Sequence, residues 1–286
     1  MKKFLLLLIL MGAGTILYAQ PKRAFRLTDR HGHKVSYRQL LKKAARADVV
    51  FFGELHNNPI AHWLELELTK DLYRLKKGRI ILGAEMFERD NQKALDRYLR
   101  GEIDAKGLDT LARLWPNFKT DYKPLVDFAK AHGIPFIATN IPRRYASQVF
   151  HHGLGSLDSL PAAEKRWIAR LPIAYDSTLS QYAKMRKMMP SHRGANLPKA
   201  QAIKDATMAE SIARALKPGY TFIHFNGSYH SAYHQGIVWY LKRLKPDIKI
   251  LTIETVTAED IRRLPPGVKN TADFIIIVDK DMTTTY

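Results

Sequence analysis

An α/β fold, with a mainly parallel sheet flanked by helices and a smaller helical subdomain beside it, is predicted by three observations. Short runs of β-branched and aromatic residues recur along the chain. Amphipathic helical patterns separate them, and two long stretches carry little strand signal. The strand runs are "DVVFFGE" (48–54), "RIILGAE" (79–85), "IPFIATN" (134–140), "YTFIHFN" (220–226), "IKILTIE" (248–254) and "DFIIIVD" (273–279). Their near-continuous apolar character suits strands buried on both faces, the habit of parallel sheets.

Helices are expected between them. Residues 59–77 open on Pro59, a residue pre-set for a first helical turn, and carry apolar residues at helical spacing. Residues 123–133 end on Gly133, suited to a helix C-terminus. Further helices are expected at 199–219 and 234–246. Residues 87–122 and 142–198 read as helical excursions from the sheet, the second closing with the loop "PSHRGANLPK" (190–199).

Ahead of the first strand, Lys2 and Lys3 precede an apolar run from Phe4 to Met11 and a small-residue exit at Ala19. That is the pattern of a secretory signal peptide over 1–19, leaving one domain over 20–286. The apolar run is shorter than the ~20 residues of a membrane span. With 0 Cys there is no lipid anchor through a cysteine and no disulfide. The expectation is an exported, periplasmic or cell-envelope protein held by its core alone.

The formal net charge is +19. Its basic residues are scattered and no nucleic-acid-binding motif accompanies them, so nucleic acid is set aside as a partner. An anionic ligand, an anionic membrane surface or an outer-membrane transporter suits an exported basic chain, and general solubility suits it equally.

In open α/β sheets ligands bind beyond the carboxyl ends of the strands, and the polar residues of this chain fall there. The first run ends "FFGELHNN", with Glu54 and His56 two apart and so on one face of an extended chain. The second ends at Glu85, and the third leads through Asn140 to Arg143 and Arg144. The fourth enters "FNGSYHSAYH", with Tyr229, His230, Tyr233 and His234. Gly-x-x-His thus occurs at two strand ends, "GELH" (53–56) and "GSYH" (227–230). His224, inside a strand, reads as structural, Ser228 as a turn residue, and Trp239 and Tyr240 as helix packing. Met208 reads as core. Asp205 and Glu210, on the same long helix, read as supports of the site from behind.

These segments, with "ADVVFFGELHNNPIAHW" (47–63), "GAEMFERDNQ" (83–92) and "QAIKDATMAESIA" (201–213), resemble the ChaN family of haem-binding, iron-regulated proteins. Its wider superfamily includes erythromycin esterases and the TraB and Tiki proteases, marked by two Gly-x-x-His motifs, two glutamates and an arginine. By position Glu54, His56, Glu85 and His230 match that site, with Arg143 or Arg144 for the arginine. The resemblance implies haem bound at a homodimer interface, a tyrosine on the iron, a histidine nearby from the second subunit, and a role in haem or iron capture or uptake. The founding members are lipoproteins; this chain lacks the cysteine that would carry the lipid.

Two chemistries remain open. For haem, the residues are Tyr229, His230, Tyr233, His234 and His56, with Arg143 and Arg144 for the propionates. For a metal-dependent hydrolase, Glu54, His56, Glu85 and His230 would bind a divalent metal or activate water, with the same two arginines at the rim. No Gly-x-Ser-x-Gly elbow and no cysteine nucleophile is present, which disfavours covalent serine or cysteine catalysis.

Overall fold

The computed structural model describes residues 23–189 and 192–286. The expected signal segment over 1–19 lies outside the described residues. The strands are β1 (Phe25–Asp29), β2 (Val49–Glu54), β3 (Ile80–Glu88), β4 (Phe136–Asn140), β5 (Thr221–Gly227), β6 (Ile250–Ala258) and β7 (Phe274–Asp279). They form one sheet in the order β1-β7-β6-β2-β5-β3-β4, with β1 antiparallel to β7 and every other pairing parallel.

The helices are α1 (Tyr37–Ala44), α2 (Pro59–Leu75), α3 (Gln92–Leu99), α4 (Ala105–Leu111), α5 (Lys123–His132), α6 (Arg143–His152), α7 (Ala162–Lys165), α8 (Ser180–Met188), α9 (Leu197–Ala215) and α10 (Ile237–Leu244). Successive side chains of a strand point to opposite faces, and the core divides accordingly. Val50, Phe52, Leu82 and Phe225 pack with Leu64, Leu68 and Leu72 of α2 and Leu125 and Val126 of α5. Val49, Phe51, Ile81 and Phe222 pack on the other side with Val149 of α6, Ile203, Met208 and Ile212 of α9, and Leu241 of α10. Every residue of β2 and of β5 is buried, as their unbroken apolar runs predict.

Local chemistry sets the boundaries. Asn58 caps α2 by accepting from the Ala61 amide at 3.0 Å, and Pro59 occupies the first turn. Gly133, at φ 63°, closes α5. The excursion over 87–122 contains α3, α4 and a π-helical turn (Phe118–Tyr122); that over 142–198 contains α6, α7 and α8. The helix expected over 199–219 runs from Leu197 to Ala215, and two further expectations shift. The helix expected from 234 begins at Ile237, because Tyr233, His234 and Gly236 all take left-handed backbone at φ 59°, 56° and 56°. The strand β1, with Arg26 and Thr28 in its five residues, gave too short an apolar signal to be expected.

Candidate functional site

The two Gly-x-x-His motifs meet because β2 and β5 are neighbours, with Gly53 opposite Asn226 and Glu54 opposite Gly227. Each glycine makes room for the other motif. A Cβ on Gly227 would lie 2.7 Å from Cε1 of His56, and one on Gly53 would lie 2.8 Å from the Ile253 carbonyl oxygen and 3.2 Å from Cα of Ser228. The first histidine therefore rests on the second glycine, and the second motif's turn rests on the first glycine. Ser228 acts as the expected turn residue, its hydroxyl donating to the Glu54 carbonyl at 3.1 Å.

On one side of this junction stands a rank of charge. Nε2 of His230 lies 3.0 Å from Oε1 of Glu85, and Nδ1 bonds Oδ1 of Asp205. Glu85 also accepts from the Gly227 amide at 2.9 Å, and Asp205 from the Tyr182 hydroxyl at 2.6 Å. All three ionisable side chains are buried. Burial opposes charge on His230, but Glu85 and then Asp205 outweigh it and hold the imidazolium up to about 9. Burial likewise opposes charge on Glu85, yet His230, and beyond it His56 and Lys204, hold its carboxyl well below the usual range. Asp205, where burial dominates, is raised.

On the other side lies a second buried cluster. Oε1 of Glu54 accepts from Tyr122 at 2.7 Å and from Nδ1 of His56 at 2.7 Å. Its other oxygen, Oε2, has no hydrogen-bond partner among the described residues, nor does Oε1 of Glu65 on α2. His62, one turn before Glu65, reaches Oε2 of Glu65 at 3.0 Å and Oε2 of Glu54 at 3.6 Å. Burial pushes Glu54 up to about 8, helped by the Glu65 charge, and burial pushes Glu65 up to about 8, with Asp121 adding to it. His62, Glu65, Asp121 and Tyr122 were not singled out in the sequence. The available signal was a histidine and a glutamate, three apart, on the side of α2 that also buries Leu68 and Leu72.

Above both clusters opens a cleft of about 950 Å³, whose wall includes Glu54, His56, Glu85, Tyr229, His230 and Tyr233. Lys184 and Met185 of α8 and Lys204 of α9 also line it, as does Glu254 of β6, whose carboxyl burial pushes up to about 7 against the pull of Thr271 and Lys184. Tyr229 is 36% exposed, and Nζ of Lys184 sits 5.3 Å from its ring centroid. Its hydroxyl has no hydrogen-bond partner among the described residues. The Tyr233 hydroxyl instead donates to the Gly267 carbonyl at 3.0 Å.

The remaining sequence candidates are dispersed. His234 turns away to Asp273 at 3.2 Å. Arg143 lines a separate pocket of about 620 Å³ that shares Glu85 and Lys204 with the cleft. Arg144 pairs on the surface with Asp90 at 2.6 Å and Glu164 at 3.7 Å. His224 is structural as read: it bonds Thr139 at 2.8 Å and Asn226 at 2.9 Å, and burial lowers it to about 4. Asp205 bonds His230, whereas Glu210 pairs with Arg89 at 3.4 Å and Arg214 at 2.7 Å. Met208 is core.

A family described as "Haem-binding uptake, Tiki superfamily, ChaN" matches residues 40–241. In fold the chain is similar to a solved ChaN of Campylobacter jejuni with cofacial haem binding: TM-score 0.65, 18% identity, 89% of this chain and 97% of that one. It is also similar to a solved succinoglycan biosynthesis protein, at TM-score 0.52 and 11% identity over 90% of this chain and 94% of that one. Protein RETICULATA-RELATED 5, chloroplastic, of Arabidopsis thaliana is 24% identical over 195 residues, 64% of this chain and 26% of that protein. The chain thus spans about a quarter of the length of this curated relative.

Proposed function

This chain belongs to the ChaN family of haem-binding uptake proteins in the Tiki superfamily, and on that premise we propose that haem binds in the cleft above Glu54, His56 and Glu85, with Tyr229 as the iron ligand. The observation that carries the assignment is the half-exposed Tyr229 phenol, whose hydroxyl has no hydrogen-bond partner among the described residues. Haem would supply a ferric iron, a hard centre that takes an anionic oxygen, and tyrosine is an established axial ligand of that kind.

The other residues fit the same group. Lys184 lies over the Tyr229 ring, its cation stacked on the aromatic face. Lys184 and Lys204 offer cations to the propionates, and Met185, Val256 and Val268 supply apolar wall. Of the two tyrosines, Tyr233 is the weaker candidate because its hydroxyl is already committed to Gly267. His230 has both nitrogens on carboxylates and His234 is not part of the cleft wall, whereas His56 gives one nitrogen to Glu54, lines the cleft and has a side chain 38% exposed, which makes it the histidine able to approach the group. Arg143 and Arg144 lie away from the cleft wall and are weaker partners for a propionate than the two lysines.

The Campylobacter jejuni protein binds haem cofacially, which supports a homodimer with two haems face to face in the loaded state. Export to the periplasm or cell envelope, delivery of haem or iron and contact with an outer-membrane transporter complete the proposal. The test is a hemin titration of the full chain followed at the Soret band. A saturable shift that is lost or moved in Tyr229→Phe is expected; a wild-type protein giving no saturable shift would refute haem binding.

A metal-dependent hydrolase using Glu54, His56, Glu85 and His230 is the second reading. It is favoured by the convergence of those four side chains on one cleft. It is weakened by His230, whose two nitrogens are both engaged by carboxylates. An ester and peptide screen with added divalent metal tests it: activity abolished by Glu54→Gln supports it, and no turnover of any substrate counts against it.

A further inference from the structure

Beneath the cleft, and independent of haem, the buried side chains of Glu54, His62 and Glu65 form a cluster with an unusual imbalance. Nε2 of His62 lies 3.1 Å from the His56 main-chain carbonyl, an acceptor that can only receive a proton. Nε2 therefore carries the hydrogen, with Oδ2 of Asp121 3.5 Å away on the same side. That fixes the ring's other nitrogen, Nδ1, toward the two glutamates. Asn117 reinforces the arrangement by donating to the same carbonyl at 2.8 Å and to Asp121 at 2.6 Å.

Nδ1 then faces Oε2 of Glu65 at 3.0 Å and Oε2 of Glu54 at 3.6 Å. Glu54 spends Oε1 on two donors, Tyr122 and His56, and leaves Oε2 without any. Glu65 leaves Oε1 without any. One donor atom from each of the three residues lies within 4.8 Å of the others. Unpartnered acceptors in a buried place cost stability unless a cation or a proton sits among them.

We propose that Glu54, His62 and Glu65 bind one divalent first-row transition-metal ion. Two carboxylates and an imidazole whose tautomer is fixed from behind are a donor set suited to Zn²⁺ or Mn²⁺. The hydrogen bond from Nε2 to a carbonyl, with a carboxylate behind it, is the outer-shell partner that ligating histidines use. The ion enters from the cleft, whose wall Glu54 shares. Carboxylate and imidazole ligands must be deprotonated to bind a metal, so binding releases any protons they hold and tightens as pH rises. This site shares Glu54 with the set Glu54, His56, Glu85 and His230 but takes its other two ligands from α2.

The experiment is calorimetric titration of the chelator-treated full chain with ZnCl₂ or MnCl₂ in two buffers of different ionisation enthalpy. One ion per chain, with proton release, is expected for wild type. Glu65→Gln, which matches the shape of the protonated acid, should weaken binding by about 100-fold or more, since outer-shell partners alone are worth about 10–100-fold. Glu259→Gln, on the exposed surface, should keep the wild-type affinity. Circular dichroism of each variant establishes that it is folded, and an anomalous-scattering map of metal-soaked wild-type crystals gives an answer free of mutation. No binding by wild type, unchanged binding by Glu65→Gln, or an anomalous peak at His230 instead of His62 would overturn the proposal.

Discussion

Two carboxylate–histidine clusters flank His56, and they manage charge in opposite ways. In the Glu85–His230–Asp205 rank, one imidazole stands between two carboxylates and bonds both, so the histidine is held charged up to about 9 and Glu85 stays ionised. In the Glu54–His62–Glu65 cluster, the histidine gives one nitrogen to a backbone carbonyl, and the carboxyls rise to about 8. Each cluster sets one histidine beside two carboxyl groups. The difference is what the far side of each imidazole bonds: a second carboxylate, Asp205, in one case, and in the other a carbonyl oxygen, with the Asp121 carboxylate 3.5 Å off.

Removing the histidine separates the two most sharply. His230→Ala strips the cation from between two buried carboxylates and is expected to cost about 3–5 kcal/mol in chemical denaturation. Should it cost under about 1 kcal/mol, His230 is not the charged partner described here. Gly227→Ala comes next. Its Cβ would crowd the His56 ring at 2.7 Å, so a loss of about 1–3 kcal/mol is expected, with loss of the His56–Glu54 bond visible as a changed His56 titration by NMR.

pH distinguishes the clusters further. Glu54 and Glu65 bind protons more tightly in the folded chain than when unfolded, so their stabilisation is full below about 4.5 and is lost as pH rises through about 8. His230 follows the same sign over a higher window, from 6.5 to about 9. Glu85, held low, has the opposite sign: its contribution is present above 4.5 and is lost in acid. The melting temperature of the metal-free protein should therefore fall from pH 6 to 9. Glu54→Gln with Glu65→Gln should flatten the part below pH 8 and leave the acid limb unchanged. The smallest effect belongs to Glu65→Gln alone, within about 1 kcal/mol of wild type at pH 7 in the same denaturation assay, because the wild-type carboxyl is already largely protonated there.

Much of this layout was legible in the sequence. Parallel strands buried on both faces leave unbroken apolar runs, so β2 and β5 stood out, and the residues just past them fell where ligands bind. Glu54, His56, Glu85 and His230 were expected at one crevice, and the cleft wall contains all four. His62 and Glu65 escaped because they sit inside a helix read for its apolar stripe, where polar interruptions look like noise until the facing strand end is known. Lys184 and Met185 reach the cleft from the excursion over 142–198, a contact decided by tertiary packing rather than local pattern. His234 illustrates the opposite error: nearness in sequence to His230 implied a shared site, but left-handed backbone at Tyr233 and His234 carries it to Asp273.

In the haem complex proposed above, the Tyr229 phenol, without a hydrogen-bond partner among the described residues, meets the iron, and the Tyr233 phenol, committed to Gly267, does not. Parallel hemin titrations of Tyr229→Phe and Tyr233→Phe test it most directly. Tyr229→Phe should lose at least about 10-fold in affinity and the Soret position of a tyrosinate-bound ferric haem, while Tyr233→Phe keeps both. A loss confined to Tyr233→Phe, or two variants that bind as wild type does, would contradict it.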